Sequence, residues 1–212
     1  MSGDWVVPMP PLSKADIVRI AGVTLQEFEP EAVLRPRPVD VVRLVDHVLP
    51  AHNIDVYPAT ADELPGQEAH TQPFQRNPTV LIRQDQWAYL MRGGGSGLRA
   101  RATVAHELGH VVLHVPVLRR RRDSPDGAME LTRVDPAKVK TYADPEWQAW
   151  CFAGAFLVPP HTLARLDPIT PENIAATYQV SERFARWVLR IFGDALAFYG
   201  GCFPSVRRRK RS

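Results

Sequence analysis

The sequence predicts an α+β fold, mainly helical, with a small antiparallel or mixed β-sheet in its N-terminal half. Two patterns carry this expectation. Apolar residues recur at helical spacing through most of the 212 residues, whereas short alternating runs are confined to residues 53–89. Twenty prolines set most of the boundaries between these segments. A content of 45% hydrophobic and 23% charged residues is that of a globular chain, long enough for one compact domain with its own core.

Taken in order, Ser13 with Asp16 three residues on makes a helix-opening box, and Gly22 is the expected stop of a helix over 13–22. Val41, Val42, Leu44, Val45 and Val48 recur at helical spacing before Pro50 and predict a second helix from Pro38 to about Val48. Ile54, Val56, Val80 and Ile82 predict strands near 54–57 and 79–83, with a third near 67–72. Gly93–Gly97 reads as a flexible loop, followed by a helix from Leu98 through His114 that proline chemistry should end by Pro116. Residues 116–143 hold few apolar positions and read as a surface excursion. Asp144 as N-cap with Pro145 opens another helix, which Pro159 and Pro160 terminate. Thr170 and Pro171 repeat that signal before an apolar stripe of Val180, Phe184, Trp187, Val188 and Ile191 that runs to Gly193. The expected organisation is an N-terminal extension (1–12), one domain (13–195) and a C-terminal segment with a basic tail (196–212).

The net charge of +3 and pI of about 9.1 come largely from two runs, Arg119–Arg122 and Arg207–Arg211. Such runs are expected as solvated loops and tails, and no zinc-finger spacing accompanies them, which argues against direct nucleic-acid binding. Cys151 and Cys202 form no CxxC pattern and suit a reducing cytoplasm. Neither a basic-then-apolar leader nor an apolar run of about 20 residues is present, so no signal peptide and no membrane partner are expected.

The chemistry concentrates in TVAHELGHVVLH at 103–114. Residues four apart on an α-helix share a face about 5.4 Å apart along the axis, so His106 and His110 can point two imidazoles at one divalent ion, with zinc the leading candidate. Glu107 follows the first histidine and is placed to serve as general base toward water activated by that ion. A catalytic site needs a third protein ligand and an open position. The pattern HExxHxxGxxH is absent, since Leu113 and Pro116 stand where it needs Gly and His. The third ligand must come from elsewhere, with Glu146, in the first turn of the next helix, as the natural candidate. His114 is a rival, but two turns from His106 it is better suited to packing or to orienting a ligand. Tyr142 is a candidate for polarising a carbonyl or, alternatively, a packing residue. His47, His52, His70 and His161 have no ligand spacing.

With RATVAHELGHVVLH (101–114), DPEWQAWCFAGAFLVPP (144–160) and NIAATYQVSERFARWVLRIFG (173–193), the sequence resembles the ImmA/IrrE metallopeptidases, zincins with an HExxH helix. PPLSKADIVRIA, HNIDVY and TVLIR are more loosely similar to that family's N-terminal helix and small sheet. The resemblance implies His106, His110 and Glu146 as ligands of Zn2+, or of another first-row divalent ion, and Glu107 as base. It further implies a cytoplasmic endopeptidase whose protein substrate is a helix-turn-helix transcriptional repressor, cleaved to induce mobile-element or stress-response genes. Trp150 stands where the family often has Asn, and Ala102 where it is usually aromatic. Helical zincins bind substrate as a strand along a sheet edge, which makes the strand near 79–83 the candidate edge. The helix of the third block, with its apolar stripe, is expected to pack against the domain and not to read DNA. The alternative is a non-catalytic antirepressor or antitoxin-like module on the same fold, but an intact Glu107 favours the enzyme. The sequence carries no signal for an oligomeric state.

Overall fold

A computed structural model describes residues 6–125, 132 and 134–199. Helix α1 (Lys14–Phe28) opens on the expected box, with the Ser13 hydroxyl accepting from the Asp16 amide, and is followed by α2 (Pro30–Leu34). Gly22 does not end α1. A mid-helix glycine costs about 1 kcal/mol, and burial of Thr24, Leu25 and Phe28 beyond it offsets that. Helix α3 consists of Val41–Arg43, a π-helical turn Leu44–Val48, and Leu49–Ala51. Strands β1 (Asp55–Ala59), β2 (Ala69–Gln72) and β3 (Thr79–Arg83) follow, and β3 leads straight into α4 (Gln84–Arg92).

Helix α5 (Gly94–Gly109) passes through a second π-helical turn, His110–His114, into α6 (Val115–Arg122). The predicted loop therefore shrinks to Gly93, whose φ of 70° is the conformation that favours glycine. Pro50 and Pro116 each lie two residues beyond a π-helical turn and inside a helix, so neither ends one. Proline breaks a helix by lacking an N–H and by clashing with the preceding turn. In both places the chain has already widened to i→i+5 bonding, with Leu49 N–H on Leu44 O and Val115 N–H on His110 O.

Asp144 caps α7 (Pro145–Leu157) by accepting from the Glu146 amide, and Val158 closes it before Pro159. After α8 (Pro160–Leu163), Thr170 caps α9 (Pro171–Tyr178), and α10 (Glu182–Tyr199) continues past Gly193, with Leu196 buried beyond it. Ten residues of α7 are buried, so it is a central helix, apolar nearly all round. Helices α1, α5 and α10 pack against it.

The sheet has the order β1-β3-β2, with β1 parallel and β2 antiparallel to β3. Strand 79–83 is thus central and cannot be the substrate edge: a parallel return from β1 and an antiparallel neighbour occupy both its sides. The open edges belong to β1 and β2. The Arg83 amide donates to Glu68 O, so Glu68–Arg83 is a hydrogen-bonded pair. In an antiparallel ladder such pairs recur every second residue, which leaves the backbone groups of Ala69 and Thr71 turned away from β3.

The first basic run is the end of α6, not a solvated loop. Arg119 donates to the carbonyls of Pro73 and Gln75, and Arg121 to that of Pro8, fastening the helix to the segment after β2 and to the N-terminal strap. That strap is held in turn by a Val6–Val134 bridge and by Met9 and Leu12 amides on the Ala143 and Tyr142 carbonyls. The second run, Arg207–Arg211, lies outside the described residues, as does Cys202. No helix among the described residues is long and apolar enough to cross a membrane.

Candidate metal centre

The centre lies where α5 crosses α7. At Gly109 a Cβ would fall 3.0 Å from both the Cα and the carbonyl oxygen of Ala149, so the two helices touch backbone to backbone only because position 109 has no side chain. Glu146 precedes Ala149 by three residues, close to one helical turn, and this crossing delivers its carboxylate to the histidines of α5.

His106, His110 and Glu146 each offer one donor atom, all within 4.8 Å of one another. His106 Nε2 and His110 Nε2 are 3.0 Å apart, and the Glu146 oxygens lie 3.2 Å from the first and 3.4 Å from the second. A tetrahedral ion with bonds of about 2.0–2.2 Å places neighbouring donors about 3.3–3.6 Å apart, so the set needs to open by only a few tenths of an ångström to hold such an ion. The hydrogen bond from His106, ahead of the other nearby imidazoles, holds the Glu146 carboxyl down to about 2.

A chain of hydrogen bonds behind the centre fixes which nitrogen of His110 faces it. The Gln148 amide nitrogen donates to the carbonyls of Pro10 (2.9 Å) and Tyr142 (2.7 Å), so its oxygen is left to accept from His114 Nε2 at 3.0 Å. Burial pushes His114 down to about 4, so the ring is neutral and its Nδ1 is a bare acceptor. That Nδ1 lies 3.0 Å from His110 Nδ1, which must therefore carry the hydrogen. His110 Nε2 is left as a lone pair directed at the shared point, and burial, with His106 and His114 nearby, pushes the ring down to about 3. His106 Nδ1 is buried with no hydrogen-bond partner. A buried and a partly buried imidazole meet an exposed carboxylate at one point, and removing the two rings from water there is costly without a cation. The residues present therefore fit a divalent metal ion.

Glu107 is 7% exposed and turns toward β2, where the Thr71 hydroxyl donates to its Oε2 at 2.7 Å. Burial, opposed by His106 and by that hydrogen bond, raises its pKa above the ordinary carboxylate range. A carboxylate poised this way is suited to receive a proton. The Trp150 ring lies 4.3 Å from the His106 ring and is itself half exposed, covering that imidazole from solvent.

Of the other candidates, His114 stands behind the centre, not among the converging donors. Tyr142 is exposed, with Lys140 over its ring, and serves the site through its backbone carbonyl alone. His52 and His161 bond to the carbonyls of Val48 and Val33. His70 is exposed on β2 yet near enough for its charge to disfavour protonation of His110. Sequence reasoning missed Thr71, Gln148 and the contact of Trp150 with His106. Gln148 left one signal, a polar side chain inside an otherwise apolar helix.

The profile of a peptidase family described as the IrrE N-terminal-like domain matches residues 96–189, which run from α5 into the first half of α10 and include His106, Glu107, His110, His114, Glu146, Gln148 and Trp150 but not Thr71. No curated protein matches the chain.

Proposed function

Through residues 96–189 the chain belongs to the ImmA/IrrE metallopeptidase family, and from that premise we propose that it is a zinc-dependent endopeptidase whose substrate is a helix-turn-helix transcriptional repressor of the cytoplasm. The observation that carries the catalytic reading is the convergence of His106, His110 and Glu146 from two helices, with a buried, hydrogen-bonded Glu107 beside them.

A divalent ion held by those three residues supplies Lewis acidity toward water and a scissile carbonyl. Glu107 accepts the proton of the attacking water and then delivers it to the departing amine. Thr71 holds the carboxylate by its hydroxyl, while its own backbone groups face the open edge of β2, where an extended peptide can pair. This edge replaces strand 79–83 as the place for the substrate backbone. His114 and Gln148 keep the His110 lone pair aimed at the ion. The repressor as target rests on the family resemblance.

Metal analysis and digestion of a proteome-derived peptide library test this reading. Wild type is expected to hold about one ion per chain and to cleave. Glu146→Ala is expected to lose the ion, and Glu107→Gln to keep it while losing about 10²–10⁴-fold in rate. With a reporter under the repressor's control, derepression that survives Glu107→Gln overturns the enzyme in favour of the non-catalytic antirepressor.

A further inference from the structure

On the Trp150 side of the centre, α5 and α10 frame a groove of about 720 Å³ lined by four arginines and one glutamate. Two of the arginines are neutralised: Arg99 pairs with Glu68 at 2.6 Å, and Arg186 with Glu182 at 3.0 Å. Arg183 and Arg190 are exposed and make no ion pair among the described residues. They are seven positions apart on α10, two helical turns, and so share a face about 10 Å long. Between them Phe184 and Trp187 present half-buried aromatic surface to the same groove. Trp187 is held there because Gly154 of α7 leaves room for its ring: a Cβ on Gly154 would meet it at 2.7 Å.

The groove is continuous with the candidate centre at two points. Trp150 is one of its walls and also covers His106. Glu68, another lining residue, immediately precedes β2, and three residues farther on Thr71 touches Glu107. Three residues of extended chain span about 10 Å, so a peptide paired along the β2 edge reaches the groove about three positions from the bond at Glu107.

We propose that this groove is a specificity subsite for an acidic segment of the polypeptide substrate, its carboxylates seated on Arg183 and Arg190 and its apolar side chains on Phe184, Trp187 and Trp150. The subsite rests on the endopeptidase reading and gives it a substrate class: sequences with acidic and apolar residues flanking the cleaved bond. Interleaved arginines and aromatics also occur in grooves for single-stranded nucleic acid. Here the continuity with the open β2 edge, whose backbone groups pair with a peptide backbone and not with a nucleotide chain, favours a peptide.

The test is fluorescence anisotropy with full-length protein carrying Glu107→Gln, so that binding is read without turnover. The probes are a labelled peptide alternating leucine and glutamate, its lysine counterpart, and a labelled oligothymidylate. The acidic peptide is expected to bind at least about tenfold more tightly than the lysine peptide, and salt is expected to weaken it. The pair Arg183→Glu with Arg190→Glu is expected to lower that affinity by about tenfold or more, whereas Arg19→Glu with Arg35→Glu, on exposed sites elsewhere, leaves it unchanged. Equal binding of the two peptides, indifference to the α10 reversals, or tighter Arg183- and Arg190-dependent binding of the oligothymidylate overturns the proposal. Because no bond is cleaved in this assay, a failure here leaves cleavage by the wild type as a separate outcome, and a failure of cleavage leaves peptide capture by the groove intact.

Discussion

On one flank of the centre, where α5 crosses α7, backbone lies on backbone at Gly109 and Ala149, and His114 and Gln148 are 2% and 0% exposed with their hydrogen bonds made. On the other flank, between β2 and α10, Trp150 is 38% exposed, the backbone groups of Thr71 face an open edge, and two arginines go unpaired among the described residues. The closed flank has spent its bonding capacity on itself, and the open flank has kept its capacity for a ligand. A change on the first should therefore be felt in folding and metal affinity, and a change on the second in substrate handling.

The sharpest break of this contrast is Gly109→Val. Its branched side chain meets the Ala149 backbone, which cannot rotate away as a side chain can, so α5 and α7 must separate. Overpacking of this kind costs about 1–3 kcal/mol, and the same displacement carries Glu146 away from the histidines. Urea denaturation is expected to show the destabilisation, and metal analysis a fall in bound ion. Arg183→Glu on the open flank is expected to stay within about 0.5 kcal/mol of wild type. Equal stability of the two variants contradicts the division into flanks.

Gln148→Leu tests the closed flank without moving a helix. Leucine fills a similar volume but leaves the His114 Nε2–H and the Pro10 carbonyl without their partner and removes one of the two donors to the Tyr142 carbonyl. His114 is then free to change tautomer, and the His110 lone pair is no longer held toward the shared point. Metal affinity is expected to fall about 10–100-fold in a chelator competition, with secondary structure retained. Unchanged affinity means that the hydrogen-bond chain packs the core but does not position the ligand.

The same contrast governs what the sequence made legible. Helix starts at Ser13, Asp144 and Thr170 were readable because an N-cap is a bond between near neighbours. His106, His110 and Glu107 were readable because helical spacing alone puts them together. Gly22 and Pro116 are local stop signals that the fold overrides, the first by burial beyond it and the second by a widened turn. Strand order is a property of the crossover from β1 to β3, so the exposed edge could not be located from alternation. Thr71 lies 36 residues from Glu107, and nothing local to TQ in β2 announces that contact.

Thr71→Val carries the smallest expected effect and joins the two flanks. The hydroxyl donates to ionised Glu107, which lowers the carboxyl's pKa against the burial that raises it. Valine keeps the shape and the strand but deletes the donor, so the pKa moves further up. Glu107 acts as base only when deprotonated, so the acid limb of the activity profile lies at its pKa and must shift to higher pH in the variant. A hydrogen bond to a charged group is worth about 1.5–3 kcal/mol at most, and relaxation around the site should hold the loss at neutral pH to about tenfold or less. Activity is expected to recover toward wild type as pH rises, while metal affinity and stability stay close to it. A uniform loss at every pH would instead mean that Thr71 acts through the β2 edge, holding the substrate and not the base.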